Sequence, residues 1–234
     1  MIRVEDNLDG PEDLVRRLVD EGIQDVRLLA AFRSVDRRSF VPPDQATLAY
    51  VDGPVPIGHD QVATQPSLVG HMVQALRLDG SERVLEIGTG LGFQTAILAM
   101  LCREVYSVEW FPDLADQARR NLEATAIRNA FVVCGDGTLG LSEHAPYDAV
   151  ITCAAAARVP VSLVEQLAEG GRLVHPLGRG HGEEVLAYTK RGGALVVDRR
   201  IVYAYFVPMI ERPQRSCASR ARGAAACSTP RRRP

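Results

Sequence analysis

Three carboxylates and a run of glycines carry the recognisable chemistry of this chain. Gly88-Thr89-Gly90-Leu91-Gly92 follows directly on the apolar run Arg83-Val84-Leu85-Glu86-Ile87 and leads into a helix-like stretch, Phe93 to Cys102. A second acid, Glu109, closes the next apolar run, Val105-Tyr106-Ser107-Val108. A third, Asp136, stands between Gly135 and Gly137 after the run Ala130 to Cys134. The order strand, glycine turn, helix, strand, acid places a nucleoside at the carboxyl edge of a parallel sheet. The glycines let the main chain turn tightly and approach the ligand, and Glu109 can accept both ribose hydroxyls. Asp136 can accept from an adenine amino group; Asp-Gly is also a common turn pair, but the two neighbouring acids favour the ligand reading.

Glu86, two residues ahead of the first glycine, narrows the ligand. A carboxylate there would repel a pyrophosphate, whereas it suits a ligand with an ammonium group and no phosphate. S-adenosylmethionine meets that description and NAD does not. The expected cofactor-binding set is Glu86, Gly88, Thr89, Gly90, Glu109, Asp136 and Gly137.

The segment Pro56-Ile57-Gly58-His59-Asp60-Gln61-Val62-Ala63-Thr64-Gln65-Pro66 is polar, conformationally constrained, and runs into a predicted helix. The free N–H groups of a helix start can bind a carboxylate. Thr64 reads either as that helix's N-cap or as a ligand hydroxyl, and the two uses are compatible. Among the histidines, His71, His144 and His175 read as surface or structural; His59 is the exception, through its place in this loop. No HxH or HExxH spacing and no CxxC pair occurs, so no metal site is expected.

These residues need a scaffold, and the periodicity supplies one. Two amphipathic helices open the chain, from about Pro11 to Glu21 (Leu14, Leu18 and Val15 inward) and Val26 to Val35 (Leu28, Leu29 and Phe32 inward). Phe40 to Asp60, rich in proline and glycine, reads as a long irregular loop, which inside a compact domain is usually functional. Pro66 to Leu76 is helical. Then strands 83–87, 105–109, 130–134, 148–152 and 172–175 alternate with helices 92–102, 112–126 and 160–167. Runs 185–189 and 195–206 flank the hairpin turn Arg191-Gly192-Gly193. The expected fold is α/β: a doubly wound, mostly parallel sheet with helices on both faces and an antiparallel C-terminal hairpin.

With 234 residues and no apolar run of membrane-spanning length, one domain over residues 1–210 is expected, its first 60 residues supplying helices and substrate loop and residues 61–210 the cofactor-binding core. The N-terminus lacks the apolar stretch of a secretion signal. Cys102, Cys134 and Cys153 read as small core residues, and a cytoplasmic home is the expectation. Residues 211–234 hold seven arginines against one glutamate, which leaves the remainder with 20 basic and 28 acidic residues. An acidic body argues against nucleic-acid binding on the main domain. The tail has no periodicity and reads as disordered. A monomer is expected.

Taken together, these segments resemble the protein-L-isoaspartate (D-aspartate) O-methyltransferase family. The resemblance rests on Pro56-Ile57-Gly58-His59 with Gln61 and Thr64-Gln65-Pro66, on Val84 through Ala96, and on Val105-Tyr106-Ser107-Val108-Glu109. It continues through Gly135-Asp136-Gly137, Ala145-Pro146-Tyr147-Asp148, Gln166 through Val174, Pro176-Leu177-Gly178, and Phe206-Val207-Pro208-Met209. Generic methyltransferases share the glycine motif but neither the Ile-Gly-His loop nor the Phe-Val-Pro ending. The resemblance implies a class I, Rossmann-like methyltransferase that uses S-adenosylmethionine to esterify the carboxylate of isoaspartyl residues in damaged proteins or peptides, the first step of their repair. It implies Thr64 as the active-site hydroxyl and Ile57, Gly58, His59, Val62, Ala63 and Val207 as substrate-binding residues. The family commonly reads Thr-Ile-Ser-Gln-Pro in the loop; here Thr64 stands at the serine and Val62 replaces a second hydroxyl. Three alternatives stay open: an aspartate O-methyltransferase tailoring a ribosomally made peptide, an NAD-dependent dehydrogenase, and a non-catalytic cofactor-binding protein.

Overall fold

A computed structural model of the protein describes residues 10–179 and 182–211. The arginine-rich segment from 212 onward, with Cys217 and Cys227, lies outside the described residues. Helix α1 (Pro11–Asp20) starts on a proline with Glu12 and Asp13 in its first turn and buries Leu14, Val15 and Leu18. Helix α2 (Val26–Ser34) is capped by Asp25, whose carboxylate accepts from the Arg27 and Leu28 N–H groups. It buries Leu28, Ala31 and Phe32, with Leu29 only half-buried.

The segment read as an irregular loop is more ordered than its composition suggests. It contains a 3-10 turn at Pro43–Leu48 and strand β1 (Val55–Gly58), and it is flanked by a 3-10 turn at Arg37–Phe40 and by strand β2 (Gln61–Ala63), which pairs with β1. Pro56 and Gly58 argue against a strand in the middle of a sheet, but this two-stranded ribbon is all edge and tolerates both. Helix α3 (Pro66–Leu76) follows as expected.

The α/β alternation then runs β3 (Arg83–Ile87), α4 (Phe93–Ala99), β4 (Glu104–Glu109), α5 (Pro112–Ala124), β5 (Ala130–Cys134), β6 (Tyr147–Thr152), α6 (Val161–Gln166), β7 (Leu167–Leu177), β8 (Glu183–Arg191) and β9 (Ala194–Ala204). The seven-stranded sheet has the order β5-β4-β3-β6-β7-β8-β9. Its first four pairings are parallel, and β8 and β9 close it antiparallel. β7 begins five residues earlier than the periodicity suggested, directly where α6 ends. Gly192 and Gly193, with φ of 60 and 80, make the two-residue turn between β8 and β9.

Strand alternation divides the side chains between two cores. Val84, Val105, Ala149 and Val174 face a large cluster built with α1 to α4, while Leu85, Ile87, Tyr106, Val108 and Val150 face a smaller one closed by Leu163 of α6. The two faces are thus covered unequally, one by most of the helices and the other by a single six-residue helix and loops. Of the cysteines expected in the core, only Cys102 is buried there. Cys134 is exposed at the end of β5, because that strand lies at the sheet's edge, and Cys153 is half-buried just beyond β6. No helix among the described residues is long and apolar enough to cross a membrane.

Candidate active site

Main-chain hydrogen bonds fasten the carboxyl ends of neighbouring strands. Gly88 N–H donates to Val108 O, Gly135 N–H to Glu109 O and Cys153 N–H to Ile87 O, each at 2.8 Å. The turns after β3, β4, β5 and β6 therefore open side by side. β4 and β5 are laid down on one side of β3 and β6 and β7 on the other, and the crevice at such a reversal is where α/β sheets take ligands.

A cavity occupies that crevice. Its walls bring together Gly88, Thr89, Gly90, Glu109 and Gly137 from the sheet's edge and Ile57, Val62, Ala63, Thr64 and Val207 from the loop segments. Two of the glycines are there because nothing larger fits. Gly90 has φ +55, and a Cβ on it would stand 3.1 Å from Ile57 Cδ1; a Cβ on Gly137 would overlap Ile87 Cγ2.

Glu109 is buried in this wall. Its Oε2 accepts from Gly90 N–H at 2.8 Å and its Oε1 from Phe111 N–H at 3.0 Å. Burial pushes its carboxyl above the ordinary range, against the pull of the main-chain donors. Each oxygen keeps a lone pair for a ligand hydroxyl.

Glu86 is placed differently from a ligand carboxylate. It is fully buried behind the wall, taking Ser107 Oγ at 2.6 Å, Thr95 Oγ1 at 2.5 Å and Gln94 Nε2 at 2.9 Å. Burial pushes its carboxyl up to about 7 in spite of these donors, and Glu109 adds to the rise. Ser107 spends its single proton on Glu86, so in the 2.5 Å contact between Thr89 Oγ1 and Ser107 Oγ the Thr89 hydroxyl is the donor. Thr89 thereby keeps its oxygen's lone pairs for the cavity. Gln94, also in the wall, gives both amide protons away, to Glu86 and to Cys153 Sγ at 2.9 Å, and its Oε1 is buried without a partner.

The remaining predicted residues lie outside the cavity lining. Asp136 accepts from Thr138 N–H (2.9 Å) and Oγ1 (2.6 Å), capping a short 3-10 turn. Gly58 and His59 form the outer tip of the β1–β2 hairpin, where His59 pairs with Asp113 at 2.8 Å and stacks on Phe111 at 4.2 Å. Thr64 is not the N-cap of α3. Gln65 holds that position, and Asp52 Oδ1 accepts the Ser67 N–H at 2.8 Å in place of a cap.

A second cleft, walled by Pro54, Leu68, Tyr203, Tyr205 and Phe206, shares Val62, Thr64, Cys153 and Val207 with the first. Two openings meet at one hydroxyl. The residue that holds this junction in place was not legible in sequence. Arg37 is fully buried, and its guanidinium donates to the carbonyls of Ala49 (3.0 Å), Val51 (3.2 Å), Gly53 (3.4 Å) and Thr64 (3.0 Å) while lying 5.4 Å above the Phe93 ring. Burial lowers its pKa to about 10, which still leaves it charged at neutral pH. Within Asp36-Arg37-Arg38 it looks like a surface charge. Cys153 did carry a signal: it follows β6 directly, as Gly88 follows β3.

Among the described residues, neither cavity lining contains Lys, Arg or His. A pyrophosphate would find no cation there, whereas the acceptors Glu109 and Thr89 fit a positively charged ligand. A Rossmann-like sheet with such a pocket at its reversal point defines a class I methyltransferase. The profile of the Protein-L-isoaspartate(D-aspartate) O-methyltransferase (PCMT) family matches residues 9–214, and the chain belongs to that family. It is 45% identical over 195 residues to the protein-L-isoaspartate O-methyltransferase of Myxococcus xanthus, covering 82% of this chain and 92% of that one. The enzyme of that name from Opitutus terrae is 49% identical over 178 residues, 76% of each chain. A solved protein-L-isoaspartate O-methyltransferase superposes with a TM-score of 0.75 at 28% identity; the match covers 85% of this chain and 65% of that one.

Proposed function

We propose that this protein transfers a methyl group from S-adenosylmethionine to the free carboxylate of L-isoaspartyl (or D-aspartyl) residues in damaged proteins or peptides. One observation carries the reading: an acceptor-rich, cation-free cavity and an open cleft meet at Thr64. S-adenosylmethionine, when bound, supplies an electrophilic methyl group on a sulfonium. Glu109 holds the ribose hydroxyls, and Gly88, Thr89, Gly90 and Gly137 give the donor a close main-chain wall. Glu86 serves that wall from behind, through Thr89 and Gln94, and Asp136 fixes the turn that presents Gly137. Thr64, Val62 and Ala63 face the acceptor, and Ile57 covers the donor. Gly58 and His59 hold the tip of that cover. The Val207 carbonyl is already taken by Ala155 N–H at 2.8 Å, so its own N–H is what it offers a peptide.

No base is needed, because a carboxylate of ordinary pKa is ionised at neutral pH. The protein's work is alignment and the exclusion of water, and orientation alone can contribute several kcal/mol. The Cys153 thiol at the junction is pushed well up by burial, which keeps it protonated and out of competition as a methyl acceptor. We further place the protein in the cytoplasm, as a monomer that ignores nucleic acid; its acidic described surface supports the last point, and gel filtration and DNA titration test the latter two.

The deciding assay offers radiolabelled-methyl donor to an isoaspartyl peptide and to its normal aspartyl counterpart. Base-labile label should enter the isoaspartyl peptide alone; equal labelling of both sinks the reading in favour of a peptide-tailoring enzyme. Thr64→Ala should lower kcat by about tenfold to a hundredfold, the loss of one hydrogen bond to a charged group. The Kd for S-adenosylhomocysteine should hold, and Thr64→Ser should restore most of the rate. An unchanged rate in Thr64→Ala removes the hydroxyl from the mechanism.

A further inference from the structure

The β1–β2 hairpin stands apart from the main sheet and is joined to the rest of the site in three places. At its base, Arg37 grips the Thr64 carbonyl. In its middle, Ile57 packs with Leu91 and Leu114 in an apolar island separate from both cores, with Ala63 and Phe111 against it. At its tip, the two turn residues, His59 and Asp60, both have positive φ, 52 and 56. Such a turn ordinarily takes Asn-Gly, and each non-glycine residue in the left-handed region carries a conformational cost. A histidine is accommodated there because its ring is held: it lies flat on Phe111, 13° from parallel, and its Nε2 reaches both Asp113 oxygens at 3.0 and 2.8 Å. Phe111, the N-cap of α5, and Asp113 in its first turn stand against the hairpin's tip, and Phe111 lines the donor cavity together with Ile57.

The hairpin therefore lines the cavity as a strap. Ile57 closes over Gly90 from the strap side, and Leu114 and Phe111 receive it from the helix side. The strap's second strand continues into Val62 and Thr64, which face the acceptor cleft. Whatever holds the tip down thus sets both how tightly the donor is covered and where Thr64 stands.

We infer that Asp113, with Phe111, is a positioning residue: by clasping His59 it fastens the β1–β2 strap over the methyl donor, touching neither donor nor acceptor itself. This rests on the assignment of the cavity at the strand ends to the donor. His59 then acts through the clasp, not by contact with the substrate peptide.

The test measures release of S-adenosylhomocysteine from the full-length protein by stopped flow, together with KM and kcat for S-adenosylmethionine. The clasp is exposed to solvent, and exposed pairs are weak, so Asp113→Ala should speed release and raise the donor KM by about two- to fivefold. His59→Ala, which also loses the stack, should do so by about tenfold. Asp113→Glu should recover part of the effect. Asp116→Ala, one helical turn further on and paired with Arg119, should leave release at the wild-type rate. An Asp113→Ala protein that releases at the wild-type rate overturns the clasp while leaving the donor assignment intact. A fall in kcat without a change in release or KM also overturns it. If the wild type fails to bind S-adenosylhomocysteine, the donor assignment falls and takes the clasp with it.

Discussion

The donor and acceptor halves of the site are built by different means. The donor half grows out of the sheet: Gly88 to Gly92, Glu109 and Gly137 sit at the ends of adjacent strands whose main chains are bonded to one another. Its residues are close in sequence to the strands that place them. The acceptor half is assembled from segments outside the parallel strands, residues 49–53, the strap and 203–207 at the end of the antiparallel edge strand β9, and one buried guanidinium draws two of those segments together. A pocket supported by strands is positioned by the fold. One supported by loops depends on individual side chains, and substitutions should separate the two halves accordingly.

The largest effect should come from Arg37. Arg37→Met leaves the Ala49, Val51, Gly53 and Thr64 carbonyls without their donor in a buried setting and should cost about 3–5 kcal/mol of stability. If the folded fraction survives, the damage should be lopsided: the isoaspartyl-peptide KM rises by far more than the Kd for S-adenosylhomocysteine. Calorimetry of the donor product and steady-state kinetics with the peptide report the two separately. Equal losses on both sides would erase the distinction between the halves.

Glu109 is the complementary probe. Glu109→Ala removes the acceptor of Gly90 N–H as well as the proposed ribose contact, and hydrogen bonds to charged groups are each worth about 1.5–3 kcal/mol. Donor affinity should fall by about a hundredfold with the peptide KM within a few-fold of wild type. Thermal stability should change little, since removing a buried carboxylate whose pKa is raised also removes its desolvation cost.

The same contrast explains what the sequence could and could not disclose. Strand, glycine turn and acid are local patterns, so the main sheet, its C-terminal hairpin and the placing of Gly88, Thr89, Gly90, Glu109 and Gly137 at one sheet edge were legible, whereas Ile57, Val62, Ala63, Thr64 and Val207 were picked out by the family resemblance. Glu86 was rightly singled out as unusual, but a sequence does not say which way a strand's side chain points relative to a turn; it faces α4 and β4, where Thr95 and Ser107 wait. Arg37 was invisible because its partners are carbonyls, which every residue has. The hairpin hid behind Pro56 and Gly58, and His59 looked like a ligand because the residues that hold it, Phe111 and Asp113, are 52 and 54 positions away.

The smallest effect at neutral pH, and the most discriminating, concerns titration. The donor half and its surroundings hold Glu86 and His175, each displaced toward neutrality by burial, while the acceptor half holds Arg37, which stays charged throughout. His175 on β7 is fully buried and neutral: Nδ1 accepts from Thr152 Oγ1 at 2.7 Å, Nε2–H donates to Ala156 O at 3.3 Å, and burial pulls its pKa from 6.5 to about 4. Between those values the unfolded chain binds the proton and the folded one does not, so this group's contribution is lost as pH falls from 6.5 to 4. Glu86 runs the other way. Its carboxyl is raised from 4.5 to about 7, so the folded state holds the proton more tightly and stability falls as pH rises from 4.5 to 7. At about 1.4 kcal/mol per pKa unit each gap is worth about 3 kcal/mol, and the two slopes nearly cancel in the wild type between pH 4.5 and 6.5. Urea unfolding should uncover them one at a time. Glu86→Gln should gain stability from pH 4 to 6.5 and then level off, whereas His175→Gln should decline from pH 4.5 to 7. Glu86→Gln should also weaken donor binding several-fold, because an amide facing Ser107 no longer fixes the Thr89 proton inward, while the peptide KM stays flat from pH 6 to 8. If the stability difference between Glu86→Gln and wild type does not vary with pH between 5 and 8, the carboxyl does not titrate there. The charge behind the glycine turn would then have no hold on the donor wall.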